Sequence, residues 1–273
     1  MQLTPSQIAS YQRDGFVLLP DWLTEDEARL IRTEAAAAMA QDSPARVMEA
    51  SGGAVRAIHG CHLEHRFFAD LSRLPRLLEP ARQLLEGDVY VYQMKINTKA
   101  AFVGDVWEWH QDFTFWRNED ALPECRILSV AVFLDDVNEF NGPMLFIPGS
   151  HRGGDISVQA QQHKHAAYQD APDWISNLTV GLKYGLDQPG VAKLVQRGGM
   201  VAPKGPSGSV LIFDGDVVHA SGSNMSPFDR FVAVLTYNRT DNLPALPPRR
   251  PEFLVSRDAT PLSPLEEDRL VRV

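Results

Sequence analysis

Short runs of β-branched and aromatic residues dominate the middle of the chain. Val89 to Asn97, Val106 to Phe115, Ile127 to Leu134, Met144 to Ile147, Val210 to Phe213 and Phe231 to Asn238 each predict a strand. Turn chemistry separates them, as in Asn141-Gly142-Pro143, Pro148-Gly149-Ser150 and Pro206-Ser207-Gly208. No regular alternation with helices of the βαβ kind intervenes, so the pattern predicts an antiparallel sandwich or barrel rather than a parallel sheet. Ahead of Asp88 the signals are helical. Thr4 with Gln7 and Thr24 with Glu27 fit the capping-box spacing, and Pro5 suits a first helical turn. Gly15 reads as the stop of the first helix, with Phe16 to Pro20 as a short buried strand. The leucine-rich stretch Leu77 to Glu86 predicts a third helix that ends at Gly87.

The expected fold class is therefore mainly β with flanking helices, in one domain spanning 1–273. It has N-terminal helices over 1–87, a core over 88–240 and an extended tail over 241–273. A polar segment at about 159–199 interrupts the strand series and reads as an insertion able to act as a lid. The proline-rich stretch Pro244 to Pro264 reads as chain lying extended on the surface.

Composition narrows the function classes. With 44% hydrophobic and 22% charged residues in 273, the chain can bury a core. Its 26 Lys and Arg against 35 Asp and Glu give a net charge of −9, which argues against nucleic acid as a partner. No stretch approaches the ~20 apolar residues of a membrane span, and the N-terminus lacks a signal-peptide layout, so a cytoplasmic location is expected. Cys61 and Cys125 are expected as reduced thiols.

Candidate chemistry concentrates in Val106 to Trp116. Read as a strand, it places His110 and Asp112 on one face with Glu108 and Thr114, and Trp107, Trp109, Phe113 and Phe115 on the other. An imidazole and a carboxylate so spaced can share one metal ion. His219, after the apolar run Val210 to Phe213 and the turn Asp214-Gly215-Asp216, offers a second imidazole. Two His and one carboxylate form the facial triad that leaves positions open on Fe(II). Asp214 and Asp216 are rival carboxylates that turn chemistry already explains. Arg230, just before a strand, could grip a carboxylate through two parallel hydrogen bonds, and Ser221 could add a hydroxyl. Gln93, Lys95 and Asn97 alternate with Met94 and Ile96, a pattern that fits either a solvent-facing strand or a polar lining inside a barrel.

In that order, Asp14-Gly15-Phe16, Gln93-Met94-Lys95-Ile96-Asn97, Trp109-His110-Gln111-Asp112-Phe113, Asn141-Gly142-Pro143, Pro148-Gly149-Ser150-His151 and His219-Ala220-Ser221 through Arg230 resemble the phytanoyl-CoA dioxygenase superfamily. Within it the chain is similar to bacterial small-molecule hydroxylases, those of free leucine foremost and those of ectoine more distantly. The resemblance implies a double-stranded β-helix, a jelly-roll of cupin type. It implies His110, Asp112 and His219 as ligands of Fe(II), and 2-oxoglutarate and O2 as cosubstrates. Arg230 and Ser221 would then hold the distal carboxylate, with Gln93, Lys95 and Asn97 around the cosubstrate and the substrate. The implied reaction hydroxylates an unactivated C–H bond and releases succinate and CO2. Asp112 favours hydroxylation, since related halogenases lack this carboxylate. The substrate expected is a small molecule, a free amino acid or similar zwitterion, with Arg56 or Arg117 pairing its carboxylate and Trp116 packing its side chain. Carrier-bound or alkaloid-type substrates are the alternative, as is a sensor that holds metal without turnover.

Overall fold

The computed structural model describes residues 2–270 apart from 155, 157–164, 180 and 248. Both capping boxes form. Helix α1 (Pro5–Asp14) starts with Thr4 Oγ1 accepting from the Gln7 amide at 3.3 Å and Gln7 Oε1 accepting from the Thr4 amide at 2.8 Å. Helix α2 (Glu25–Ala40) repeats this with Thr24 and Glu27 at 3.2 and 2.9 Å. Gly15 takes φ +84°, and a Cβ there would lie 2.5 Å from the His151 ring, so only glycine serves this stop.

The strands are β1 (Phe16–Leu19), β2 (Arg46–Met48), β3 (Val55–His59), β4 (Val89–Lys99), β5 (Trp107–His110), β6 (Ile127–Phe133), β7 (Met144–Phe146), β8 (Val210–Asp214), β9 (His219–Ser221) and β10 (Arg230–Arg239). Seven form one sheet in the order β1-β8-β6-β10-β4-β3-β2, and three form a second in the order β5-β9-β7. Every pairing is antiparallel.

Alternation sorts the residues of the large sheet onto two buried faces. Val130, Val132, Val210, Ile212, Ala233 and Leu235 join one core with residues of α1, α2 and the later helices. Ala131, Phe133, Leu211, Phe213, Val232 and Val234 join another with Phe146 of the small sheet. Burial on both faces explains why these strands read as continuous apolar runs. On β4, Met94 and Ile96 belong to the helix-side core, so Gln93, Lys95, Asn97 and Lys99 point the other way, between the sheets. The polar stripe of β4 thus lines the interior of the fold.

Four expectations need correction. The run from Val106 to Phe115 is not one strand: β5 stops at His110, Gln111 is extended, and Asp112 opens helix α6 (Asp112–Asp120). Phe113, Phe115 and Trp116 are all buried on this helix, so its apolar positions imitate strand alternation. Helices α3 (Cys61–Glu64) and α4 (Arg66–Leu71) and strands β2 and β3 gave no signal, being at most six residues long. Helix α5 (Pro75–Leu85) ends on Glu86 at φ +55° rather than on Gly87. Gly87 instead makes room for the Arg239 guanidinium, 3.0 Å from where a Cβ would stand.

The tail is the fourth. It is extended, yet Arg250, Leu254, Val255 and Leu270 are buried, not superficial. The Ser256 and Leu262 amides donate to Tyr92 and Val89 at 2.9 Å each, fastening the tail along β4. Within the insertion, a 3-10 turn (Asp173–Asn177) precedes helix α7 (Gln188–Gly198), capped by Asp187. Residues 159–164 of that insertion lie outside the described residues. Both cysteines are free, and no described helix is long and apolar enough to cross a membrane.

Candidate active site

Strand pairing brings the two imidazoles together. His110 and His219 are register partners across β5 and β9, with ring centroids 4.3 Å apart. Each Nδ1 donates to a backbone carbonyl, His110 to Glu108 at 2.6 Å and His219 to Val217 at 3.0 Å. These bonds fix the tautomers and leave both Nε2 lone pairs to face Asp112. Nε2 of His110 lies 3.5 Å from Asp112 Oδ1, and Nε2 of His219 lies 4.0 Å from Oδ2. Donors about 2.0–2.2 Å from one ion sit roughly 3–3.5 Å apart, so a small closing movement suffices. Gln111 braces the turn between the ligands: its side-chain amide donates to Asp216 O at 2.5 Å and Gly154 O at 3.0 Å.

The electrostatics suit a divalent cation. Burial opposes charge on Asp112, but the Lys95 ammonium and the two imidazoles outweigh it and hold the carboxyl well below its usual range. Burial, then the neighbouring His110, push His219 down to about 4, so its imidazole is neutral and free to ligate. Asp112 Oδ2 is buried without a hydrogen-bond partner among the described residues, an arrangement that is unfavourable until a cation meets it. Phe146 stacks on the His219 ring at 5.6 Å and Phe213 packs at 5.2 Å, excluding water from behind. This donor set fits iron(II) and leaves positions open. Asp214 and Asp216 belong elsewhere: Asp214 accepts from Tyr11 Oη at 3.2 Å and groups with Asp216 and Cys125.

Two cavities meet at this triad, sharing Lys95, Trp107 and His110. The first is lined by Lys95, Asn97, Lys99, Ser221 and Arg230. Arg230 is buried, donates only to the carbonyls of Asn141 at 3.4 Å and Gly142 at 2.5 Å, and has no carboxylate within ion-pair distance among the described residues. Burial lowers it to about 10, with Asp135 opposing. Among the described residues, Asn97 Oδ1 is buried without a hydrogen-bond partner and Lys95 forms no ion pair or hydrogen bond with the protein. A cavity walled by three basic side chains with no acid in its lining is built for an anion.

The second cavity is lined by Gln93, Phe115, Trp116, Leu178 and Arg250 beside Asp112. Gln93 lies here rather than with Arg230, and its Nε2 donates to Leu254 O of the tail at 3.1 Å. Trp116 is where the sequence reading puts a substrate-packing group. Arg250 donates from Nε to Asp120 Oδ1 at 2.8 Å and from one terminal nitrogen to Oδ2, while Tyr92 Oη donates to the same Oδ2 at 2.5 Å. Arg250 escaped the sequence reading because nothing in a proline-rich tail marks a buried residue. Lys99 did carry a signal, the two-residue spacing that continues Gln93, Lys95 and Asn97.

Neither arginine expected at a substrate carboxylate lines these cavities. Arg56 is fully buried behind Trp107: its nitrogens donate to Glu49 at 2.9 Å, Leu178 O at 3.1 Å and Val106 O at 2.6 Å, and it stacks on the Trp107 ring. It is a clamp between β3, the strand entrance at Val106 and the turn before Leu178. Arg117 is exposed on α6.

Comparison with known proteins agrees with this geometry. The family profile described as phytanoyl-CoA dioxygenase (PhyH) matches residues 11–232. The chain is 40% identical over 260 residues to L-proline trans-4-hydroxylase of Streptomyces griseoviridis, covering 95% of each protein. It is 33% identical over 272 residues to the ectoine dioxygenase of Halomonas elongata, covering 96% of this chain and 79% of that one. EctD from S. alaskensis with 2-oxoglutarate and 5-hydroxyectoine superposes with a TM-score of 0.81 at 32% identity, over 98% of this chain and 89% of that one. The same protein with bound Fe gives 0.80 over 96% and 87%. These relatives are proline and ectoine enzymes and do not single out leucine. The chain belongs to the phytanoyl-CoA dioxygenase family and is a dioxygenase dependent on iron and 2-oxoglutarate.

Proposed function

We propose that this protein hydroxylates an unactivated C–H bond of a free amino acid or similar small zwitterion, with L-proline the first substrate to test. The observation that carries the reading is the placement of a two-histidine, one-carboxylate group at the junction of two cavities, each with a buried arginine at hand. Bound iron and 2-oxoglutarate supply the oxidising chemistry, consuming O2 and releasing succinate and CO2. His110, Asp112 and His219 hold the metal. Arg230 and Ser221 hold the distal carboxylate of the acid, with Lys95 and Asn97 along its length. The remaining cavity orients the substrate. Arg250 presents a guanidinium already aligned by Asp120, and its second terminal nitrogen, with no protein partner among the described residues, offers the carboxylate grip first sought in Arg56 or Arg117. Trp107, Phe115 and Trp116 supply faces for an apolar ring and for a cationic amine. The cavity's size favours a compact molecule, in keeping with the proline enzyme at 40% identity.

The test is a panel of free amino acids led by L-proline, incubated with the protein, Fe(II), 2-oxoglutarate and O2. Succinate release coupled to a gain of one oxygen in one amino acid is expected. Succinate without an oxidised amino acid would redirect the search to carrier-bound substrates. No succinate with any of them would reduce the protein to a metal-binding sensor.

A further inference from the structure

Five of the ten large hydrophobic side chains exposed among the described residues share one end of the fold. Phe102 and Val103 lie on the loop after β4, Phe140 on the loop before β7, and Met225 and Phe228 between β9 and β10. Phe102, Phe140, Met225 and Phe228 are 64–79% exposed. The three loops hold one another by their backbones: the Phe102 amide donates to Ser226 O at 3.2 Å, the Met225 amide to Phe140 O at 2.9 Å and the Asn224 amide to Gly104 O at 2.8 Å. The Asn224 side-chain amide spans two of them, donating to the carbonyls of Lys99 at 2.8 Å and Phe228 at 2.7 Å. Gly142 sits so close to the β9–β10 loop that a Cβ would lie 2.5 Å from Gly222 O. The patch is therefore presented on a fixed backbone, and little ordering is left to be lost when a partner covers it.

Folding of a single chain does not account for these exposures. Phe102 takes φ +57°, a left-handed conformation that bulky residues seldom adopt, and it does so with its ring in water. Phe140, Met225 and Phe228 line a groove with Ser223 and Pro227. At ~150–250 Å² for each aromatic side chain, the patch offers roughly 500–600 Å² of apolar surface. That is the upper end of what a monomer exposes, and two such patches face to face bury about 1,000–1,200 Å², which a specific interface needs before rim residues are added. Charge narrows the partner. Among the residues lining the groove only Glu139 is charged, and it pairs with Lys204 at 3.4 Å, while Asp229 beside Phe228 pairs with Arg32 at 3.9 Å. Arg29 is held by Asp26 at 2.8 Å and Glu25 at 3.1 Å. No surplus of one sign is there to draw a nucleic acid or an anionic membrane, and none to make two copies repel at this end despite the net charge of −9.

We propose that this patch seats a second copy of the chain, paired across a two-fold axis so that each Phe102 ring enters the groove of the other copy between Phe140 and Phe228. A knob beside a groove on one surface is self-complementary, which is what an isologous pair requires. Covered in this way, the exposed rings become the apolar core of an interface, and Glu139, Lys204, Asp229 and Arg32 form its polar rim.

Sedimentation velocity of the full chain from about 1 to 100 µM tests the pairing. A species of twice the chain mass is expected in wild type, growing with concentration. Phe140→Glu combined with Phe228→Glu places like charges in both grooves and leaves a monomer whose urea midpoint matches wild type, since both side chains are exposed. Leu246→Glu, at an exposed leucine of the tail, keeps the dimer. A wild type that is monomeric at every concentration, or a dimer that survives the double change, overturns the proposal. So does a monomer that floats with phosphatidylcholine vesicles, which would assign the patch to a lipid surface. Should the double variant not fold, amide hydrogen exchange of wild type takes its place. Protection of residues 101–103 and 223–228 is expected to rise several-fold over the same concentration range, and unchanged protection there beside a doubled mass puts the interface elsewhere and overturns the proposal.

Discussion

The cavity around Arg230 takes its polar walls from paired strands, whereas the cavity around Arg250 borrows from a helix, the segment after a 3-10 turn and the C-terminal tail. Lys95, Asn97 and Lys99 stand at two-residue intervals on β4, with Ser221 on β9 and Arg230 on β10. Across the triad, Trp116 lies on α6, Leu178 follows the Asp173–Asn177 turn and Arg250 arrives from the tail. Ladder hydrogen bonds fix the first set, while the second depends on side-chain contacts such as Gln93 to Leu254 and Arg250 to Asp120. A site built this way keeps its cosubstrate geometry while loops and tail vary the substrate.

Five substitutions break or sharpen this contrast. Asp112→Ala removes the ligand on which both cavities converge and abolishes succinate formation; turnover at the wild-type rate would dismiss the triad. Arg56→Met leaves Glu49 buried without its partner and lowers stability by about 3–5 kcal/mol in urea unfolding. A substrate-binding role would instead raise the amino-acid KM with stability intact. Arg230→Gln raises the KM for 2-oxoglutarate by roughly 10- to 100-fold and leaves the amino-acid KM nearly unchanged, on the ~1.5–3 kcal/mol of a charge-assisted bond. Arg250→Lys does the reverse more mildly: the amino-acid KM rises by about tenfold with the 2-oxoglutarate KM unmoved. Equal effects of these two on both KM values would erase the distinction between the cavities. Arg117→Ala, on the exposed side of α6, shifts stability by less than about 0.5 kcal/mol and alters neither KM.

The same contrast governs how much could be read from sequence. His110, His219, Ser221 and Arg230 sit at strand ends or turns, where periodicity and turn chemistry give their positions, and the triad geometry follows from pairing β5 with β9. Asp112 reached the expected neighbourhood by a different backbone, as the first residue of a helix, because the apolar positions of this buried, aromatic-rich helix imitate strand alternation. Arg250 and Arg56 were illegible for a shared reason. Which of two arginines becomes a clamp and which faces ligand depends on partners distant in sequence: Asp120 is 130 residues from Arg250, and Leu178 is 122 from Arg56. Lys99 was legible by spacing but lacked a motif to draw attention to it.

The most direct measurement is a crystal structure of the protein grown without oxygen in the presence of Fe(II) and 2-oxoglutarate, with the metal located by iron anomalous scattering. The account predicts one iron held by His110 Nε2, Asp112 and His219 Nε2, with the distal carboxylate of the acid between Arg230 and Ser221. Iron at Cys125, Asp214 and Asp216, or an acid whose distal end points to Arg250, would contradict it.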